Sequence, residues 1–135
     1  MLWLALFLFC LTSNAAEPVF SHKTHAPLKL PCTTCHAGAV EKARAGFPPV
    51  SQCHTCHKDY AGRIPAQRVY KLADFVFFSH SVHVKAKAEC STCHGDVSQQ
   101  ATIQIFRDVK MKDCVDCHKE KHATEVCTVC HELGQ

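Results

Sequence analysis

Five times the chain writes Cys-x-x-Cys-His, at Cys32 to His36, Cys53 to His57, Cys90 to His94, Cys114 to His118 and Cys127 to His131. Two thiols three residues apart with an imidazole next in line suit the covalent attachment of a c-type haem. The thiols add to the two vinyl groups of one porphyrin, and the histidine swings underneath to bind the iron. Five segments therefore imply five covalently bound haem c groups. Their anchors are Cys32, Cys35, Cys53, Cys56, Cys90, Cys93, Cys114, Cys117, Cys127 and Cys130, and their iron ligands are His36, His57, His94, His118 and His131.

Cys-x-x-Cys pairs also build zinc sites and disulfides. Neither needs the trailing histidine. With 11 histidines in 135 residues, chance would place one after all five pairs roughly 3 times in a million. A four-cysteine zinc site also consumes pairs two at a time and would strand the fifth.

Six histidines lie outside the motifs: His22, His25, His54, His80, His83 and His122. Five irons need five sixth ligands, and the usual alternative to imidazole is a thioether. The only methionines are Met1 and Met111, so methionine can serve one haem at most. Four of the six histidines belong to a repeat: Phe20-Ser21-His22-x-x-His25 precedes Cys32 as Phe78-Ser79-His80-x-x-His83 precedes Cys90, with an offset of 58 residues throughout. Spacing of i and i+3 sets both imidazoles on one helical turn, so one short segment can reach two haems and hold them close. His122 follows the fourth motif, whereas His54 sits between two haem-bonding cysteines, where geometry turns it outward. His54 reads as the spare.

The Phe-x-His-x-x-His segment followed by Cys-x-x-Cys-His, with further motifs close behind, resembles the class III cytochromes c, the cytochrome c3 and cytochrome c7 group. The resemblance covers residues 20 to 131 and implies histidine on both sides of each iron. Carried over, it implies His22 on the haem of Cys32 and Cys35, and His25 on that of Cys53 and Cys56. It further implies His80 for Cys90 and Cys93, His83 for Cys114 and Cys117, and His122 for Cys127 and Cys130. Usual members carry three or four haems, so this chain would be a pentahaem member. It also departs from the family in placing His122 behind a motif.

These ligands set the architecture. Residues 20–57 read as a two-haem module, 58–74 as a linker and 78–131 as a three-haem module, together one domain over 17–135. At about 24 residues per haem the chain can bury little apolar surface of its own, so the porphyrins must form the core. The expected fold is mostly irregular with short α-helices and little or no β-sheet. A helix is expected from Ala39 to Ala45, stopped by Gly46 and the Pro48-Pro49 pair, with short helices at the motifs. Residues 75–78 and 103–106 could be strands or extended segments laid on haem faces.

Residues 2–11 are apolar and are followed by small, polar Thr12 to Ala16, which reads as a signal peptide over 1–16. At about 10 residues the run is half of what spans a bilayer. Phe9 ahead of Cys10 does not suit lipidation. Haem attachment outside the cytoplasmic membrane points to the same place, a bacterial periplasm.

The formal charge of +3 is misleading. Ten propionates and five ferric porphyrins bring the oxidised protein to about −2 and the reduced one to about −7, so reduction favours proton uptake. Lysines gather at Lys85 and Lys87, and at Lys110, Lys112, Lys119 and Lys121. They read as a solvated surface before a docking patch for an acidic redox partner. No phosphate-cradling loop or basic-aromatic pattern for nucleic acid is present, and no stable membrane insertion is expected. The expected function is periplasmic electron transfer in anaerobic respiration, between membrane or periplasmic dehydrogenases and reductases, by a monomer or in transient complexes and without catalysis. Two alternatives stand: an electron-transfer subunit of a membrane quinol-oxidising complex, and a reductase with one open haem.

Overall fold

The protein was analysed as a computed structural model, which describes residues 20–61, 64 and 68–131. The expected signal peptide lies outside them. The described chain is a series of short helices, most of one or two turns and the longest of nearly three: α1 (His22–His25), α2 (Cys32–Cys35), α3 (Gly38–Glu41), α4 (Val50–Cys53), α5 (His80–Lys85), α6 (Cys90–His94), α7 (Met111–Glu120) and α8 (Cys127–Cys130). Two 3-10 turns, Ala26–Leu28 and Val97–Gln99, join them. None is long and apolar enough to cross a membrane.

Local chemistry explains why the helices are short. Ser21 is extended (φ −131°, ψ 120°) and its hydroxyl accepts from Thr24 N–H at 3.3 Å, which starts α1; a serine at this position satisfies a donor that the first turn leaves free. Pro27 enters the following turn, which closes at Lys29 with φ 51°. Pro31 and Pro49, extended, stand immediately before α2 and α4. Proline fits a helix start because its missing N–H has no intrahelical partner there.

The helix expected over Ala39 to Ala45 is one turn, Gly38–Glu41, and Lys42 turns extended (φ −125°, ψ 163°). Tertiary hydrogen bonding overrides the local propensity. Lys42 O accepts from Ser81 N–H at 3.1 Å, and Ala43 O from His80 N–H at 3.0 Å. The chain then folds back over Gly38, where a Cβ would stand 2.6 Å from Ala45 O and 2.7 Å from Arg44 O. Only glycine leaves room for that approach.

Neither candidate strand joins a sheet among the described residues, and Asp74 and Phe75 lie in a turn, with Val76 N–H donating to Ala73 O at 2.9 Å. Among the described residues the one β feature is an isolated antiparallel bridge between Val76 and His131, supported by Phe77 N–H donating to Cys130 O at 2.8 Å. Residues 103–106 pair with no strand; Phe106 N–H donates to the Tyr70 hydroxyl at 2.6 Å. The mostly irregular fold of short helices without a β-sheet is as the sequence implies.

Ala39 is the single buried apolar residue among those described, while Leu28, Leu30, Phe75, Phe77, Ile105 and Phe106 are each more than half exposed by the polypeptide alone. A chain that packs so little apolar surface against itself cannot offset the entropy of ordering its backbone. Its apolar side chains must pack against non-polypeptide surface, and ten cysteines spaced for porphyrin attachment say which.

Protein produced in cells lacking haem attachment should accordingly give a largely unfolded circular dichroism spectrum, and a well-folded apo form would refute the haem-core account. Gly38→Ala should destabilise the haem-loaded protein by about 1–3 kcal/mol, read as a lower denaturation midpoint, because the new methyl meets backbone.

Candidate haem-binding site

Each motif is folded as the attachment chemistry requires. The histidine N–H closes onto the carbonyl of the first cysteine, at 3.0 Å for His36 to Cys32, 2.8 Å for His57 to Cys53 and 2.9 Å for His131 to Cys127. The other two motifs lie within α6 and α7. Cysteines at i and i+3 then share a helical face. No two of the ten motif cysteines are joined in a disulfide. Among the described residues no group of three or more His, Cys, Asp or Glu could hold a bare metal ion.

The motif histidines and the remaining histidines come together in pairs. His22 faces His36 with ring centres 6.3 Å apart and planes 8° from parallel; His80 faces His94 at 6.3 Å and 10°. His25 meets His57 at 6.1 Å and 66°, and His83 meets His118 at 6.1 Å and 45°. An imidazole nitrogen about 2 Å from a first-row metal on each side, plus about 1.1 Å from nitrogen to ring centre, puts two trans imidazoles about 6.2 Å apart. All four separations fit that span. They are the four pairs that the repeat segments can supply.

Hydrogen bonds fix the rings' protonation. A carbonyl only accepts, so a ring nitrogen bonded to one carries the proton and leaves the other bare. Nδ1 donates to Ser21 O from His25 (2.8 Å), to Ser79 O from His83 (2.8 Å), to Gly46 O from His36 (2.8 Å), to Ala43 O from His80 (2.9 Å) and to Thr124 O from His118 (2.5 Å). Each leaves Nε2 as a metal-ready lone pair, the usual outer support of a ligating histidine. His54 is the reverse: its Nε2 donates to Tyr60 O at 2.8 Å, and it is exposed.

Phenylalanines hold the repeat histidines. Phe20 stacks on His25 (4.6 Å, 23°) and meets His22 edge-on (4.9 Å, 90°). Phe78 does the same to His83 (4.4 Å, 28°) and His80 (4.9 Å, 89°). Sequence reasoning missed Tyr70, whose ring stands edge-on to His94 at 4.7 Å while its hydroxyl holds Phe106 N–H. Its place in the apparent linker gave no signal.

Burial first, then the neighbouring His36 and His25, lowers the His22 pKa; burial first, then His80 and His36, lowers that of His94. Both effects favour the neutral ring that a metal needs. Burial also raises the Cys35, Cys90 and Cys114 thiols, with neighbouring cysteines adding to it.

The fifth motif stands apart. His122 lies just past the end of α7 with φ 53°, exposed, and among the described residues its ring stacks on no other. His131 has Phe75 beside it at 5.8 Å and a buried Nδ1 without a hydrogen-bond partner. The structure thus brings together four of the five expected imidazole pairs and does not bring His122 to His131.

The lysine cluster at 110–121 is neutralised locally. Lys110 pairs with Asp108, Lys112 with Asp116, Lys119 with Glu125 and Lys121 with Glu120, all exposed. Such pairs contribute little stability, but they remove the excess charge a docking patch would need.

Five attachment segments on a chain of short helices, whose described residues bury one apolar side chain, define a multihaem c-type cytochrome. Family comparison matches residues 10–72 to the class III cytochrome C family and residues 76–132 to cytochrome c7 and related cytochrome c. The chain belongs to the class III multihaem cytochromes c, whose general role is periplasmic electron transfer. Comparison with curated proteins finds no match.

Phe20→Ala and Phe78→Ala each remove one stacked and one edge-on contact to a histidine. Each should destabilise the haem-loaded protein by about 1–3 kcal/mol, and by similar amounts, measured as loss of the low-spin haem spectrum in denaturant.

Proposed function

We propose that this protein is a pentahaem electron carrier of anaerobic respiration, exported to the periplasm, with four irons each closed by two imidazoles. In this reading His22 and His36 hold the haem of Cys32 and Cys35, and His25 and His57 that of Cys53 and Cys56. His80 and His94 hold the haem of Cys90 and Cys93, and His83 and His118 that of Cys114 and Cys117. His131 holds the haem of Cys127 and Cys130 with no second imidazole from His122. The two-haem module of residues 20–57 and the three-haem module of 78–131 form one unit.

The observation that carries this reading is the four ring separations of 6.1 to 6.3 Å, set by residues far apart in sequence. Haem iron would supply a one-electron couple, and the protein's part is to close its axial positions. Two strong imidazole ligands leave no place for substrate, which suits a carrier, and without a thioether they favour low potential. The partners are periplasmic or membrane dehydrogenases and reductases, met through small transient contacts. The one feature favouring a reductase is the lone imidazole of the fifth motif.

Carbon monoxide added to the dithionite-reduced protein should shift no more than about one fifth of the Soret intensity, the share of one haem in five. A larger shift would sink the paired-imidazole assignment. His22→Ala should add about another fifth, while His54→Ala and His122→Ala should leave the carbon monoxide response of the parent unchanged.

A further inference from the structure

The 58-residue repeat is also a symmetry of the fold. Lys23 N–H donates to Gln100 O at 3.0 Å, and Ser81 N–H donates to Lys42 O at 3.1 Å. Adding 58 to Lys23 and Lys42 gives Ser81 and Gln100, so the two bonds are the same bond made in both directions. The helix contacts obey the same rule: α3 packs on α5, and α1 packs on the Val97–Gln99 turn, which occupies the place of α3 in the second repeat. This reciprocity is what an isologous interface means, each partner using the same patch. Here both partners belong to one chain.

A twofold relation brings equivalent residues together at its axis, and the structure has such a pair. The thiols of Cys32 and Cys90, 58 residues apart, are near neighbours, as are their equivalents His36 and His94. Away from the axis, Cys35 neighbours Cys53, and Cys114 neighbours both Cys93 and Cys130.

We infer that the two repeats dock as an internal pseudo-dimer whose junction is built by the Cys32–His36 and Cys90–His94 segments. The five attachment segments then run in space in the order second, first, third, fourth, fifth. Sequence order would have joined the repeats through the second and third motifs, which are consecutive along the chain. The docking instead places Cys53–His57 and Cys127–His131 at opposite ends, where external donors and acceptors reach them. With haems bound, electron exchange between the repeats would run through the junction of the Cys32–His36 and Cys90–His94 segments.

This inference rests on haem attachment at all five motifs, and one experiment separates the two. Two-dimensional proton NMR of the fully reduced, haem-loaded protein gives cross-relaxation peaks between substituents of neighbouring haems, and the axial histidine signals of each haem independently. Peaks between the haems of Cys32/Cys35 and Cys90/Cys93, with none between those of Cys53/Cys56 and Cys90/Cys93, are expected. Cross-repeat peaks confined to the second and third motifs would overturn the spatial order, even with all axial histidines as assigned. The reverse result, the expected contacts with different axial ligands, would overturn the ligand assignment and leave the order standing.

Discussion

The proposed haem ligation sets the constraint on which this molecule depends: each ligating Nε2 must be unprotonated and aimed, and four pairs of imidazoles stand with ring centres 6.1 to 6.3 Å apart. Small proteins ordinarily hold themselves together by burying apolar side chains, and among the described residues this one buries Ala39 and little else within the polypeptide. Pairs of histidines distant in sequence take over the role of long-range contact. The backbone is arranged to serve them, with carbonyls of Ser21, Ser79, Ala43 and Gly46 placed to receive Nδ1 protons. Helices of one turn are enough, because each has only to set two sulfurs and a ring on one face.

The repeat shows how closely local sequence prescribes this arrangement. Phe-Ser-His-x-x-His folds twice into the same turn: an extended serine, a phenylalanine stacked on the second histidine and edge-on to the first, and a serine carbonyl bound to the second ring. The inter-ring angles differ by a few degrees between copies. Where the copies diverge, the cause is tertiary. His80 also donates Nδ1 to Ala43 O in the other repeat, which draws residues 42–43 into extended form and cuts α3 short.

The fifth motif marks the limit of the repeat. The first repeat holds two motifs and the second holds three, so the last has no counterpart to lend it a histidine from a Phe-Ser-His segment. Its surroundings are built from the segment Phe75 to Phe77, which leaves a turn, bridges Val76 to His131 and sets an aromatic ring beside the imidazole. This environment differs chemically from the other four, in keeping with a terminal position in the series.

The ten cysteines, the five motif histidines, the doubled His-x-x-His turn and the sparse secondary structure were all legible in the sequence, because they rest on spacing within one or two helical turns. The exposure of His54 was legible too, for the same reason. What only the tertiary structure decided is everything that depends on distant parts of the chain meeting: the end of α3 at Glu41, the placing of Tyr70 on His94, and the reciprocal bonds between the repeats. Local spacing dictates which residues share a face, whereas a partner many residues away is chosen by the packing of the whole chain.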